Sequence, residues 1–267
     1  MSIGIHNGDK TIERRAKIIE MLENDGQVKI PKLSEIFKVS DVTIRNDLEQ
    51  LESKELLVRS RGGALRINRV GIDYQLDVKS KKHIKEKQLI GAKAAELINE
   101  NDTIILDSGT TTLEVAKNLS KFQNLTVISN ALNIAGHLVN FPNVRLIIPG
   151  GSLRKNSLSL IGAAAEEGFK HYYCDKLFIG VDGIDSTNGI STPNVEECHI
   201  NQVMIKLAKE IIVVTDSSKF FKRSFAFICS IDKIHTIITD SNIPKEEHQK
   251  LVKLGKNVII VTVEDEN

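Results

Sequence analysis

The chain has 267 residues, 41% hydrophobic and 27% charged, with no tryptophan and with 36 Lys+Arg against 35 Asp+Glu. That length allows two domains, the composition is that of a globular protein, and the balanced charge singles out no partner class. Three cysteines without CxxC spacing argue against a disulfide framework or a zinc site and are expected as reduced thiols. The opening Met1-Ser-Ile-Gly-Ile-His-Asn-Gly lacks the basic and apolar regions of a secretory leader, and no apolar run approaches the ~20 residues needed to span a bilayer. The expected location is the cytoplasm, with no membrane partner, no metal and no cofactor.

Residues 1–10 read as unstructured. Thr11 can cap a helix carrying Ile12, Ala16, Ile19 and Leu22 on one face, closed by Asp25-Gly26. Pro31 suits the first turn of a short helix with Leu33, Ile36 and Phe37 inward. Ser40 is the expected N-cap of a third helix from Asp41 to about Glu52, with Ile44, Leu48 and Leu51 facing the core. Its other face presents Asp41, Thr43, Arg45, Asn46 and Glu49. A short helix, a tight turn and a longer helix with polar residues near its start form a helix-turn-helix, and Arg and Asn are the types that read guanine and adenine edges. Short strands around Gly62-Gly63 would make a wing whose Arg59, Arg61 and Arg66 suit phosphate or minor-groove contact. From Arg59 to Lys93 there are ten cations against three acids, so net neutrality hides a basic stretch beside that motif.

The runs Glu13-Arg-Arg, Val39-Ser-Asp-Val-Thr-Ile-Arg-Asn-Asp-Leu-Glu-Gln-Leu-Glu52 and Arg61-Gly-Gly-Ala64 resemble the DeoR family of bacterial transcription regulators. The resemblance places Thr43, Ile44 and Arg45 on the recognition helix of a winged helix-turn-helix. Periodicity nevertheless assigns Ile44 to the core. The expected organisation is a DNA-binding domain over 1–70, a linker over 71–84, and a second domain over 85–267 whose first helix buries Ile90, Ala94 and Leu97.

In that second domain strand and helix signals alternate. Strands are expected at 103–106, 125–129, 144–148, 176–181, 211–215, 234–239 and 257–261, with helices near 111–119, 131–139, 161–170, 194–209 and 244–254. The alternation implies an α/β domain with a mostly parallel sheet, whose ligands bind beyond the carboxyl ends of the strands. Those ends carry Asp107-Ser108-Gly109-Thr110-Thr111, Ser129-Asn130, Gly150-Gly151, Asp182-Gly183 and, after the fifth strand, Lys219. Such residues also fill ordinary turns. Their arrival at several strand ends, together with a small-residue loop opening a helix, favours an anion site with hydroxyl-binding carboxylates around it.

The resemblance continues through this half and implies a sensor fold similar to ribose-5-phosphate isomerase and glucosamine-6-phosphate deaminase. It implies a phosphate loop at Asp107–Thr111, with Ser129, Asn130, Gly150, Gly151, Asp182, Gly183 and Lys219 at further signature positions. The stretch from Gly183 to Glu197 looks like the members that control amino-sugar use. The resulting reading is a non-enzymatic repressor that binds double-stranded operator DNA as a dimer or larger assembly and is released by a phosphorylated sugar. In it Asp107, Asn130, Asp182 and Glu196 hold the sugar while Lys219 and the loop hold phosphate. The competing reading is a sugar-phosphate isomerase or deaminase using Asp182, Asp185, Glu196 and Glu197 as acid and base. Against it, Ser186-Thr-Asn-Gly-Ile-Ser-Thr192 lacks the lysine of the related isomerases, and His199 fits a helix face better than a catalytic position.

Overall fold

Apolar stripes close one core in the first part of the chain and two, on opposite faces of a sheet, in the second. In the computed structural model, which describes residues 5–54, 56–65 and 73–263, the chain divides into units at Met1–Lys82 and His83–Asn267. The first unit runs α1 (Ile5–Asp25), β1 (Gln27–Lys29), α2 (Ile30–Phe37), α3 (Asp41–Ser53), β2 (Val58–Ser60), β3 (Gly63–Leu65) and α4 (Leu76–Lys81). Ala16, Ile19, Leu22, Leu33, Ile44, Leu48 and Leu51 meet in its core, as their spacing requires. Ser40 caps α3, its hydroxyl accepting from Thr43 N at 3.2 Å. The three short strands pair antiparallel in the order β1-β3-β2. Gly63 lets them approach: a Cβ there would stand 1.9 Å from Val28 O.

Four expectations change in this unit. The stretch read as unstructured is helical from Ile5, because neither proline nor cap stops α1 at Thr11; residues 1–4 lie outside the described residues. Ile36 is 46% exposed, since Leu33 and the half-buried Phe37 already fill that side of α2. The linker read over 71–84 contains α4, whose Val78 is buried in the first core. Strand β1 was not anticipated. Arg66, Arg69 and the start of the linker, residues 71 and 72, lie outside the described residues.

The second unit begins with α5 (Ile84–Ala95), β4 (Thr103–Leu106), α6 (Thr110–Lys117), β5 (Leu125–Ser129), α7 (Leu132–Leu138) and β6 (Val144–Ile147). A hairpin of β7 (Ser152–Arg154) and β8 (Ser159–Ile161) follows, then α8 (Ala163–Phe169) and β9 (Cys174–Ile179). The rest is β10 (Gly183–Asp185), β11 (Gly189–Thr192), α9 (Val195–Leu207), β12 (Ala208–Val214), β13 (Ala226–Cys229), β14 (Thr236–Asp240), α10 (Lys245–Lys253) and β15 (Asn257–Val261). Among the described residues the seven expected strands form one sheet, β15-β14-β12-β9-β4-β5-β6, and every neighbouring pair in it is parallel. Alternate residues serve opposite faces. Ile105, Leu177, Ile179 and Val213 join one core; Ile104, Leu106, Phe178, Ile212 and Val214 join the other. Burial on both faces explains why these strands read as continuous apolar runs. The antiparallel pieces, the β7–β8 hairpin and the small sheet β10-β11-β13, were not anticipated. Among the described residues no helix is long and apolar enough to cross a membrane.

Candidate functional site

On α3 the residues turned from the core are Asp41, Val42, Arg45, Asn46 and Glu49, all exposed. Ser40 is exposed and Thr43 half-buried, their hydroxyls 2.9 Å apart. Arg59 and Arg61 are exposed at β2 and the turn after it, and Arg59 N donates to Glu52 Oε1 at 2.9 Å. The geometry is that of a helix able to enter a major groove beside a basic hairpin. Inside the same unit, buried Asp47 receives Arg14 Nε at 2.5 Å and Arg15 Nε at 2.8 Å, tying α3 to α1.

In the second unit the chain leaves β4 in one direction, through β5 and β6, and returns to place β9, β12, β14 and β15 on the other side. The strand order therefore reverses between β4 and β9, and the crevice over their carboxyl ends is where such sheets bind ligands. Asp107 follows β4 there. Its Oδ1 accepts from Asn201 Nδ2 at 2.9 Å and its Oδ2 from Gly180 N at 3.3 Å. Burial, and then the charge of Glu197, push its carboxyl up to about 7, against the amides of Ser108, Asn201 and Gly180. Ser108, Gly109 and Thr110 are half-buried where the crevice meets the start of α6. First-turn amides of a helix have no partner within it, so this loop presents donors and the positive end of a dipole. Thr111 and Thr112 are buried, and the Thr112 hydroxyl turns back to Gly109 O at 3.2 Å.

Beyond β12, Asp216 caps the helical turn Ser217–Lys219. Burial works to raise its pKa, but the cations Lys219, His83 and Lys87, with the Ser218 hydrogen bond, hold it below the usual carboxylate range. Lys219 Nζ also lies 3.6 Å from Asp182 Oδ1, so lysine and aspartate face each other beyond β12 and β9.

A family model described as the DeoR C terminal sensor domain matches residues 82–241, and a DeoR-like helix-turn-helix domain matches residues 14–70. The chain belongs to the DeoR family. It is 40% identical to a protein of Escherichia coli O157:H7 assigned as an aga operon transcriptional repressor, over 94% of each chain. It is 36% identical to YulB, an uncharacterized HTH-type transcriptional regulator of Bacillus subtilis, over 86% of this chain and 89% of that one. Among solved structures, ribose 5-phosphate isomerase A of Methanocaldococcus jannaschii overlaps 51% of this chain and 54% of its own, at 16% identity and a TM-score of 0.38. The chain is thus a DNA-binding transcriptional regulator with an N-terminal helix-turn-helix and a C-terminal α/β sensor domain.

Within this DeoR sensor domain several expected ligand groups take other places. Glu196 is exposed, while Glu197, one residue on, is buried. Asn194 caps α9 and accepts from Glu197 N at 2.9 Å, which turns Glu197 inward with Asn201 one helical turn later. That i, i+4 spacing was the available signal. The Ser129 hydroxyl is fully buried, donating to Leu106 O at 2.7 Å and accepting from Ala131 N at 3.2 Å; it braces β4 against β5. Gly151, with φ +118°, is required by packing: a Cβ would stand 2.7 Å from Ala165 Cβ. Gly150 shares that positive-φ turn into the β7–β8 hairpin. At Gly183 a Cβ would meet Lys222 O at 2.4 Å, so chain approach explains it without a ligand. Asn130 is buried and donates through Nδ2 to Leu160 O at 3.0 Å. Arg154, on the hairpin, was missed; it reaches Glu197 Oε1 at 3.4 Å.

The raised carboxyl of Asp107 has a thermodynamic consequence. The folded state holds this proton more tightly than the unfolded one, so stability falls as pH rises from the ordinary carboxylate range to about 7. Asp107→Asn removes that titration. Between about pH 5 and about pH 8 the wild type is expected to lose about 2 kcal/mol relative to the variant in denaturant melts. Parallel pH profiles would show that Asp107 is ionised throughout.

Proposed function

We propose that this DeoR-family regulator is a repressor of a carbohydrate operon, an amino-sugar operon, and that a phosphorylated sugar bound over the strand ends of its sensor domain releases it from the operator. One observation carries the reading: the loop Ser108–Thr111 opens α6 at the point where the strand order reverses, with Lys219 beyond a nearby strand. In that reading phosphate sits on the loop amides and hydroxyls, with Lys219 as a point charge. Asp107, Asn130 and Asp182 hold the sugar, joined by Glu197 in place of Glu196. The amino-sugar assignment rests on the stretch Gly183–Glu197 and on similarity to the aga operon relative.

Sensing is preferred to turnover on a specific ground. The Asp185 carboxylate accepts from Thr187 N, Asn188 N and Asn188 Nδ2 at 2.8–2.9 Å, and although burial opposes them these donors hold its pKa down. A carboxylate so occupied is poorly placed as an acid or base, and the loop it anchors has no lysine. Incubation with hexose and hexosamine 6-phosphates is expected to leave them unchanged, and any stoichiometric excess of product would revive the enzyme reading.

On the DNA side, Arg45→Ala is expected to weaken operator binding by roughly 1–3 kcal/mol and to relax preference at one base pair. Arg61→Ala should weaken all sequences alike and flatten the salt dependence. Binding isotherms on operator and scrambled duplexes at two salt concentrations separate the two effects. Equal operator affinity for wild type and Arg45→Ala would remove α3 from the groove. One helix-turn-helix offers few base contacts, so the protein is proposed to act as at least a dimer on paired half-sites.

A further inference from the structure

Several acceptors gather where β4 and β5 end, beside the point where the strand order reverses. Glu197 Oε1 takes the Ser159 hydroxyl at 3.0 Å and Arg154 Nη1 at 3.4 Å. Among the described residues Asp107 takes neutral donors, the Asn201 amide and the backbone N–H groups of Ser108 and Gly180. Leu106 and Ser129 pair across β4 and β5, so Asp107 and Asn130 are the next residues of adjacent strands and point to one face of the sheet. Asn130 is 1% exposed, and its Oδ1 is buried with no hydrogen-bond partner among the described residues. Its Nδ2 is spent on Leu160 O, one residue from the serine that donates to Glu197. Two buried carboxylates thus share this place with one guanidinium, and an orphaned amide oxygen stands beside them.

Buried acceptors of that kind are costly unless a donor arrives, and buried charge is costly unless it is neutralised. A hydroxyl brings one donor and no charge. An N-acyl group brings one N–H, no charge and an added apolar bulk. A protonated primary amine brings three donors and the missing positive charge. We infer that Asp107, Glu197 and Asn130 form an ammonium subsite, so that the effector is a phosphorylated sugar carrying a free amine and not its N-acetyl form. This rests on the phosphate-site reading above and specifies the opposite end of the same ligand.

The test is calorimetry on the full chain with three ligands that differ at one carbon: glucosamine 6-phosphate, N-acetylglucosamine 6-phosphate and glucose 6-phosphate, repeated with the galacto series. In the preferred series the amine is expected to bind at least tenfold more tightly than the hydroxyl and N-acetyl forms. Glu197→Gln, which keeps an acceptor for Ser159 and Arg154, is expected to bring that ratio toward unity. Its thermal melt shows whether it folds; if it does not, the wild-type ligand series decides alone. Binding of phosphorylated sugars with no preference for the amine, or with preference for the N-acetyl form, overturns the inference and leaves the phosphate site standing. Failure of every phosphorylated sugar to bind overturns both.

Discussion

Asp47→Ala is expected to destabilise the DNA-binding unit by about 3 kcal/mol and to abolish operator binding at physiological temperature. Asp47 is 2% exposed on α3, and its two oxygens receive Arg14 and Arg15 from α1. Removing it leaves two guanidinium groups facing a cavity, and breaking a buried pair from one side typically costs ~3–5 kcal/mol. The lower end applies because Arg14 and Arg15 remain 13% and 26% exposed and can be partly rehydrated. A small domain has only about 5–15 kcal/mol in hand, so a loss of this size populates the unfolded unit. Differential scanning calorimetry should show a lowered transition for the DNA-binding unit and an unchanged one for the sensor domain. Asp47→Asn, which keeps an acceptor, should lie between. An unmoved transition in Asp47→Ala would mean that the two arginines are satisfied elsewhere and that α3 is held by Ile44, Leu48 and Leu51 alone.

This same residue shows where sequence reading reached its limit. Ile44, Leu48 and Leu51 are legible because apolar spacing reports burial directly, and all three are in the core. Asp47 sits on the same inward face, but an acidic residue there gives no sign of being buried until its partners on α1 are known. The parallel sheet was legible strand by strand, since the inner strands β4, β5, β9, β12 and β14 carry apolar runs buried on both faces and the edge strands β6 and β15 keep an apolar run that is only partly covered. The three-residue strands β1, β7, β8 and β10 were not, because runs so short owe their form to the chain beside them and not to their own propensity. In the candidate site, the strand-end residues singled out from sequence gather over one edge of the sheet. They could not separate residues that point into the crevice from residues that build it. Ser129, Gly151 and Gly183 have packing or hydrogen-bonding roles in the fold, and Glu197, one helical position on from the exposed Glu196, is the carboxylate turned inward. The Asn194 cap and the Glu197, Asn201 spacing held that information.

Removing the phosphate from the effector should have the largest effect on binding. Hydrogen bonds to a charged group contribute about 1.5–3 kcal/mol each, and the loop Ser108–Thr111 offers several amides at the start of α6. A free sugar is therefore expected to bind at least ~100-fold more weakly than its 6-phosphate. Lys219→Ala should weaken the phosphorylated ligand by roughly tenfold and leave the free sugar unaffected. Its neighbour Asp216 supplies an internal check. Lys219 helps to hold that carboxylate ionised, so Asp216 should titrate at higher pH in the variant. Loss of affinity for free and phosphorylated sugars alike would mean that Lys219 shapes the crevice instead of contacting phosphate.

Release from DNA requires that the ligand bind the operator-free protein more tightly than the operator-bound one, and the coupling must be reciprocal. The most direct measurement is an operator-binding isotherm of the full chain, taken with no ligand, with a saturating hexosamine 6-phosphate, and with the same hexosamine unphosphorylated. The expected result is an operator affinity lowered at least tenfold by the phosphorylated sugar only, matched by an equal loss of sugar affinity when operator is bound. Operator affinity that is the same in all three conditions, while calorimetry shows the sensor domain filled, would contradict a sugar-phosphate switch.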